Sequence, residues 1–361
     1  MLRTTKPSPK RVVYLWGAGA THAEAQHLGS TTSLLMRDSE LQEGITTRIL
    51  QRTGQKAISL FSGDSAGSVD IEKLISLLAA SGNSSHSNLA ERMRRNYFVE
   101  LKASLSNAQI LNNPALAIEL FTMHRSPRFR REVEMLMGVI TTNHDGLLQL
   151  ASQSVLGGLN PGFLFVSSDY KYSTTLPPIL QLHGSFTWQF GTPTKIKKLH
   201  RGSTYNDTLW IPPTILKETK SFPYNKLSAL AYELLAGDCD VLRVVGTSLT
   251  QNDWNVLSLI FNAQRHRQIA KQEPFIIELI MPQTAGEQIK RDCAYLKNLM
   301  SIGYLTDGDF DDYKTRDDIP PESDLSNPFA YWLAEKQQFH RSELQTQRVD
   351  VTTVAHPGAS S

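Results

Sequence analysis

The run Val12-Val13-Tyr14-Leu15-Trp16-Gly17-Ala18-Gly19-Ala20-Thr21 decides the fold class of this chain. Its first five residues are apolar and β-prone and stop at Gly17, which is the pattern of a buried parallel strand. A helix is predicted to begin near Ala20, so the glycines lie between a strand and a helix, as a phosphate-binding loop requires. Glycines let the backbone approach a pyrophosphate, and a helix N-terminus supplies unpaired N–H groups and a favourable dipole.

A simple tight turn would explain the same glycines. The usual dinucleotide-binding fingerprint also has a third glycine where this chain has His22, so a generic Rossmann dehydrogenase fits poorly. Within this loop, the candidates for contacts to a phosphate are Gly17, Ala18, Gly19, Ala20 and Thr21.

Further strands and helices alternate along the chain. Strands are predicted at 137–142, 178–182, 209–211, 240–245 and 274–280. Helices are predicted at 70–80, 89–106, 114–124, 128–136, 145–153, 225–236, 253–269, 284–299 and 327–341, and a loop at 81–87. This alternation predicts an α/β protein with a doubly wound, Rossmann-like parallel sheet that carries helices on both faces.

The order of the elements divides the chain into four parts. Segments 1–60 and 135–285 contain the strands and are predicted to form the sheet-bearing domain. Segment 61–134 has helical spacing without an obvious strand, which predicts a helical insertion, and 286–343 is predicted to be a C-terminal helical extension. Segment 344–361 is polar and rich in small residues, which predicts a disordered tail.

Composition excludes several classes of protein. The 361 residues carry a net charge of only +2, so there is no compositional reason to expect direct nucleic-acid binding. The two cysteines, Cys239 and Cys293, lie far apart and outside any CxxC unit, which excludes a disulfide framework and a four-cysteine zinc site. The apolar run Val12 to Trp16 is too short for a signal peptide or a membrane span. We therefore expect a cytoplasmic protein.

A second group of polar residues follows the predicted strand 137–142. Thr142, Asn143, His144 and Asp145 lie beyond the carboxyl end of that strand, where doubly wound folds bind their ligands. An asparagine both donates and accepts hydrogen bonds, so Asn143 can hold a ribose hydroxyl and a water. The alternative interpretation is that these residues only cap the next helix, a role that suits Asp145.

His183 lies directly after the strand 178–182 and before Gly184. Histidine suits general-base work because its pKa lies near neutrality. A single histidine is equally compatible with a structural role, so its position at a strand end is the feature that makes it a candidate.

The fourth group, Gly246, Thr247 and Ser248, follows the strand 240–245, and Asp253 lies a few residues later. Gly246 permits close approach of a backbone, and the two hydroxyls suit a ribose or a phosphate. Asp253 suits the cap of the following helix.

In this order, the four motifs resemble those of the sirtuin family, which has a GAG loop followed by a small residue, a TxNxD segment, an HG segment and a GTSL segment. The resemblance covers about 11–60 and 135–285. Three further segments are similar to the divergent bacterial sirtuin-like branch associated with anti-phage defence. They are Asp70-Ile71-Glu72, Ile211-Pro212-Pro213-Thr214 with Lys217, and Asn252-Asp253.

The resemblance implies a domain that binds NAD and cleaves its nicotinamide–ribose bond. According to this resemblance, the glycine loop would hold the pyrophosphate, and Asn143 and Asp145 would hold the nicotinamide ribose. His183 would be the catalytic base. Thr247 and Ser248 would contact the adenosine side. It also adds Thr142, Gly246 and Asp253 to the binding residues.

This chain departs from the protein-deacylating sirtuins, which carry two zinc-binding CxxC pairs. The Asp-Phe-Arg run expected after the glycine loop is also absent, and Thr142 stands where many deacylases have glutamine. We therefore expect no zinc, and water rather than an acyl-lysine peptide as the acceptor, which makes the expected activity NAD hydrolysis. The alternatives are an NAD-dependent deacylase and a non-catalytic module that senses NAD or ADP-ribose.

The resemblance finally implies that the activity is gated, because an uncontrolled NAD hydrolase would kill its host. It suggests a homo-oligomer, an effector role in anti-phage defence and a partner ATPase of the HerA type.

Overall fold

A computed structural model describes most of the chain. The described residues are 8–35, 44–54, 70–163, 171–192, 195–198, 204–215, 217–293, 302–304, 327, 329–330, 332–334 and 336. The polar, Gly- and Ser-bearing segment 54–68 is predicted from the sequence to be a linker, and all of it except Gly54 lies outside the described residues, as does the tail 344–361.

The centre of the molecule is a six-stranded sheet whose neighbouring strands all pair parallel. Its strands are β1 (Lys10–Trp16), β2 (Glu134–Thr141), β3 (Ile179–Gln181), β7 (Val241–Val245), β8 (Ile276–Ile280) and β9 (Ile302–Tyr304). Their spatial order is β3-β2-β1-β7-β8-β9. Along the chain, β2 and β3 are therefore added on one side of β1, and β7, β8 and β9 are added later on the other side. The boundary between β1 and β7 is the topological switch point of the sheet.

The described residues form ten α-helices. They are α1 (Ala18–His27), α2 (Ile45–Thr53), α3 (Ile71–Ala80), α4 (Ser84–Asn107), α5 (Ala115–Arg125), α6 (Pro127–Glu132), α7 (Leu147–Leu156), α8 (Tyr224–Asp238), α9 (Trp254–Ile269) and α10 (Gln283–Asp292). A single 3-10 turn, Gln251–Asp253, precedes α9. None of the described helices has the length and apolar character needed to cross a lipid bilayer.

Side chains of β1 alternate between two hydrophobic clusters, because successive residues of a strand point to opposite faces. Val12, Tyr14 and Trp16 join the cluster that includes α1 to α5 and α7. Val13 and Leu15 join the cluster of α8, α9 and α10. The sheet is thus covered on both faces, which confirms the predicted α/β, Rossmann-like class.

A second, antiparallel sheet follows β3 in the chain. It consists of β4 (Gly184–Thr192), β5 (Lys195–Lys198) and β6 (Thr208–Trp210) in the order β5-β4-β6. Of these three strands, only β6 is predicted from the sequence. The missed signal is the alternation in β4, where Phe186 and Trp188 are buried between the half-buried Thr187 and Gln189.

Several predictions from the sequence are wrong. The segment 286–343, predicted to be a helical extension, contains β9, the last strand of the central sheet, and the helix predicted at 284–299 ends at Asp292. The loop expected at 81–87 ends at Asn83, whose side-chain oxygen accepts from the backbone N–H of Ser85 and His86 and so caps α4. The helix expected at 128–136 ends at Glu132, and β2 begins at Glu134 rather than 137. Residues 134–136 pair with 10–12 of β1, and this tertiary pairing outweighs local helix propensity.

The C-terminal segment packs on the sheet through buried aromatic side chains. Phe329 lies edge-on to Trp16, with ring centroids 5.1 Å apart. Trp332 covers the guanidinium of Arg243 at 4.7 Å. Arg243 is itself buried and forms ion pairs with Glu134 at 2.8 Å and with Glu278 at 2.6 Å. Phe329, Trp332 and Leu333 are therefore part of the core.

Candidate functional site

The four motifs lie on loops at the carboxyl ends of β1, β2, β3 and β7. Strands β2 and β7 lie on either side of β1, and β3 pairs with β2. The site lies at the switch point of the sheet, which is where ligands bind in open α/β folds. Direct hydrogen bonds connect the loops.

The loop after β1 and the loop after β7 are in backbone contact. The N–H of Gly17 donates to Val245 O at 2.9 Å, and the N–H of Gly19 donates to Gly246 O at 2.7 Å. A Cβ atom on Gly246 would lie 2.1 Å from the backbone nitrogen of Ala20, and Gly246 has a φ of +60°. The glycines therefore allow the backbones of these two loops to lie against each other.

Asn143 connects the first loop with the second. Its side-chain amide donates to Gly17 O at 2.9 Å and to Thr21 Oγ1 at 2.8 Å. The Thr21 hydroxyl in turn donates to Asp145 Oδ2 at 3.0 Å. All of these residues are predicted from the sequence to bind a ligand. The structure brings them into one buried hydrogen-bonded group.

Gln181, the last residue of β3, forms hydrogen bonds to the backbone of the same group. Its amide donates to the backbone oxygens of Asn143 at 3.2 Å and Asp145 at 2.7 Å. The second carboxylate oxygen of Asp145 accepts from Leu147 N at 3.1 Å, in the first turn of α7. The N-cap position of α7 is Gly146, so Asp145 satisfies the first N–H of the helix from the residue before the cap, and it also holds Thr21. Burial raises its pKa.

His183 lies in the turn between β3 and β4, where the parallel sheet meets the small antiparallel sheet. Its backbone oxygen accepts from Ile211 N at 2.8 Å. The next residue, Gly184, has a φ of +76°, and a Cβ there would lie 2.4 Å from Leu209 O. The turn therefore needs glycine at 184.

The imidazole of His183 is buried, with 4% of the residue exposed. Its Nε2 lies 3.2 Å from the side-chain nitrogen of Asn255. Burial, and secondly the charge of Lys217, lower the pKa of His183 to about 3. The ring is therefore neutral at pH 7.

His144, by contrast, is part of the core. Its ring lies nearly parallel to Phe186 with centroids 5.3 Å apart and edge-on to Trp210 at 5.2 Å. Burial lowers its pKa to about 3. His144 therefore fills space beside the site.

A buried cation lies beside His183. The side chain of Lys217 is 4% exposed, and its Nζ donates to Asn252 O at 2.7 Å and lies 3.1 Å from Asp253 Oδ1. Glu72 Oε1 lies 3.6 Å from the same nitrogen. Asp253 occupies the N-cap position of α9, but its side chain makes no capping hydrogen bond. The predicted capping role of Asp253 is wrong, because its carboxylate pairs with Lys217.

The remaining candidates form the accessible rim of the site. Ala18 and Ser248 are exposed, whereas Gly19, Thr142, Gly246 and Thr247 are half-buried. Ala20 is buried in the first turn of α1.

Two residues of the site carry no role in the sequence analysis. Gln181 belongs to an otherwise apolar predicted strand, so its polar side chain at a strand end was a usable signal. Asn255 lies two residues after Asp253, in the first turn of α9, and only the folded structure brings it to His183, 72 residues away in sequence.

No protein-family model matches this chain, and no curated protein matches it. The resemblance to sirtuins therefore rests on the sequence motifs, and the proposed function rests on the geometry of the loops that carry them.

Proposed function

We propose that this chain is an NAD hydrolase that cleaves the nicotinamide–ribose bond and releases nicotinamide and ADP-ribose. The observation that carries the proposal is the meeting of four polar, glycine-bearing loops at the switch point between β1 and β7, where dinucleotides bind in this strand order. Hydrogen bonds from Asn143 to Gly17 and Thr21 support a single site.

In the proposed reaction the C–N bond to nicotinamide breaks and a C–O bond to water forms. The ribose develops oxocarbenium character, as in glycoside hydrolysis. Asn143 positions the water and a ribose hydroxyl, and His183 accepts the proton that the nucleophile loses. A positioned base contributes about 10²–10⁴-fold to such a step. A neutral His183 is able to accept that proton.

Access to the two proposed catalytic side chains requires movement. Asn143 is 9% exposed and His183 is 4% exposed. A ribose cannot contact both until residues that cover them move apart. This burial supports the proposal of a gated activity, for which a larger assembly or a partner such as a HerA-type ATPase would supply the trigger.

The same burial favours a second candidate, a non-catalytic sensor of NAD or ADP-ribose. A histidine with a pKa of about 3 is a weak base, and a pure binding site needs no base. The hydrolase predicts products from NAD, whereas the sensor predicts binding without any product.

The test is to incubate the purified protein with NAD and no peptide, and to measure NAD binding by calorimetry and products by chromatography. The hydrolase proposal predicts nicotinamide and ADP-ribose in equal amounts. Saturable binding with no product under any condition would favour the sensor, and a requirement for an acyl-lysine peptide would favour a deacylase. A protein that binds no NAD would contradict all three.

A further inference from the structure

Asn255 is directed at the ring of His183. It lies in the first turn of α9, and its Nδ2 is 3.2 Å from His183 Nε2. Neighbouring side chains anchor the helix without it, since Val256, Leu257 and Ile260 are buried in the hydrophobic cluster on that face of the sheet. The amide is therefore available for a role at the site.

The chemistry of this contact determines where the proton of His183 lies. A neutral imidazole has one nitrogen that donates and one that accepts, and the NH2 group of an asparagine only donates. Nε2 therefore accepts from Asn255, and the proton lies on Nδ1. Hydrogen bonding to the backbone of Thr142 favours the protonated form of the ring, as expected for an N–H directed at a carbonyl oxygen.

The other end of the same amide is unused. Asn255 Oδ1 is buried and has no hydrogen-bond partner among the described residues. An unpaired buried carbonyl oxygen is unfavourable. Half a turn of the amide would exchange the two ends, so that Oδ1 would face Nε2. A carbonyl oxygen in that place would accept from a protonated Nε2.

We infer that Asn255 is a positioning residue that keeps Nε2 of His183 free of a proton before the reaction. Because Nε2 has a single lone pair, the nucleophile displaces the amide N–H of Asn255 from it before the proton transfers, and Oδ1 of the rotated amide accepts the N–H from Nε2 after the product has left. The proton moves from the nucleophilic water or ribose hydroxyl to Nε2, and it leaves to solvent when the site reopens. No electrons are exchanged. The inference rests on the proposed function for its catalytic meaning, but the contact itself is tested separately.

The charged and titratable groups around this pair come from several elements. Lys217 acts on His183 electrostatically, Asp253 and Glu72 pair with Lys217, and the ring of His144 lies 6.3 Å from that of His183. Only Asn255 makes a side-chain hydrogen bond to Nε2 within the described part of the chain.

The experiment uses ¹⁵N-labelled histidine in the full chain. The signal of His183 among the ten histidines is identified by its loss in His183→Gln. In the wild type we expect an unprotonated Nε2 and a protonated Nδ1 at pH 7. In Asn255→Asp the carboxylate only accepts, so we expect the proton on Nε2 and a pKa of His183 that moves upward. Asn255→Ala is expected to give a mixture of both tautomers.

Turnover provides the second measurement. We expect kcat to fall at least ~10-fold in Asn255→Asp and Asn255→Ala, with KM little changed, because only the proton transfer is affected. Asn225→Asp, at an exposed position of α8, is the control for the added charge and should match the wild type.

A protonated Nε2 in the wild type, or an unchanged tautomer in Asn255→Asp, would overturn the inference. The spectra do not depend on NAD cleavage. If the wild type cleaves no NAD but the tautomers behave as expected, the proposed function fails while the contact between Asn255 and His183 stands.

Discussion

The backbone N–H of Gly19 donates to the carbonyl oxygen of Gly246 at 2.7 Å. This bond joins the loop after the first strand to a loop more than two hundred residues later in the sequence. It crosses the switch point of the sheet, so the geometry of the candidate site depends on how closely these two glycines approach.

Gly246→Ala is expected to destabilise the protein. The new Cβ would lie 2.1 Å from Ala20 N, and the φ of +60° is unfavourable for alanine. We expect the free energy of unfolding to fall by more than ~1 kcal/mol, measured by urea denaturation. The control is Gly237→Ala in α8, where a Cβ meets nothing within 4 Å. Alanine there should stabilise the helix by up to ~1 kcal/mol, so equal effects at both sites would contradict the close contact.

Thr21→Val removes the hydroxyl that links Asn143 to Asp145. The valine is similar in shape but leaves a buried amide hydrogen and a buried carboxylate oxygen without this partner. We expect a loss of about 1–3 kcal/mol in the free energy of unfolding. Thr31→Val, at an exposed position, should change it by less than ~0.5 kcal/mol. Indistinguishable results would show that the hydroxyl does not hold the loops together.

Trp332→Ala tests whether the C-terminal segment belongs to the core. Trp332 is 5% exposed and covers Arg243, whereas Trp254 is 63% exposed. Removal of the buried ring should lower the free energy of unfolding by about 3–5 kcal/mol. Trp254→Ala should change it by less than ~0.5 kcal/mol. A mild effect at Trp332 would mean that the sheet is stable without this segment.

Glu134 predicts a dependence of stability on acid pH. Burial alone would raise its pKa, but the charge and hydrogen bonding of Arg243 and the charge of Lys336 together outweigh burial and lower the pKa to about 2. An unfolded glutamate titrates near pH 4.3. The stabilisation is therefore present above about pH 4.3 and is lost as the pH falls toward 2, and it amounts to about 3 kcal/mol.

The measurement is the free energy of unfolding of the wild type and of Glu134→Gln between pH 7 and pH 3. The difference between the two should shrink as the pH falls. Glu233→Gln, at an exposed position of α8, serves as the control and should follow the wild type throughout. A constant difference for Glu134→Gln would exclude the ion pair as its cause.

The sequence predicted the parts of the fold that depend on local pattern. Val12 to Trp16 is apolar on both faces because β1 is covered on both faces, and the polar groups at 143–145 and 246–248 follow strands that end at one edge. Asp70 was predicted to start a helix, and its carboxylate accepts from Glu72 N and Lys73 N.

Other features depend on contacts between distant residues and have no local signal. Glu134 begins a strand because it pairs with β1 and Arg243, although the residues before it are helical. Asp253 turns away from its helix because a buried Lys217 lies beside it. The contact between Asn255 and His183 likewise forms only when α9 packs on the sheet.

The most direct test of the proposed hydrolase compares NAD consumption by the wild type, His183→Ala and Asn143→Ala, with folding checked by circular dichroism. We expect nicotinamide release by the wild type and at least a ~100-fold loss in His183→Ala, while the substituted proteins stay folded. Nicotinamide release by His183→Ala at the rate of the wild type would contradict the proposed site.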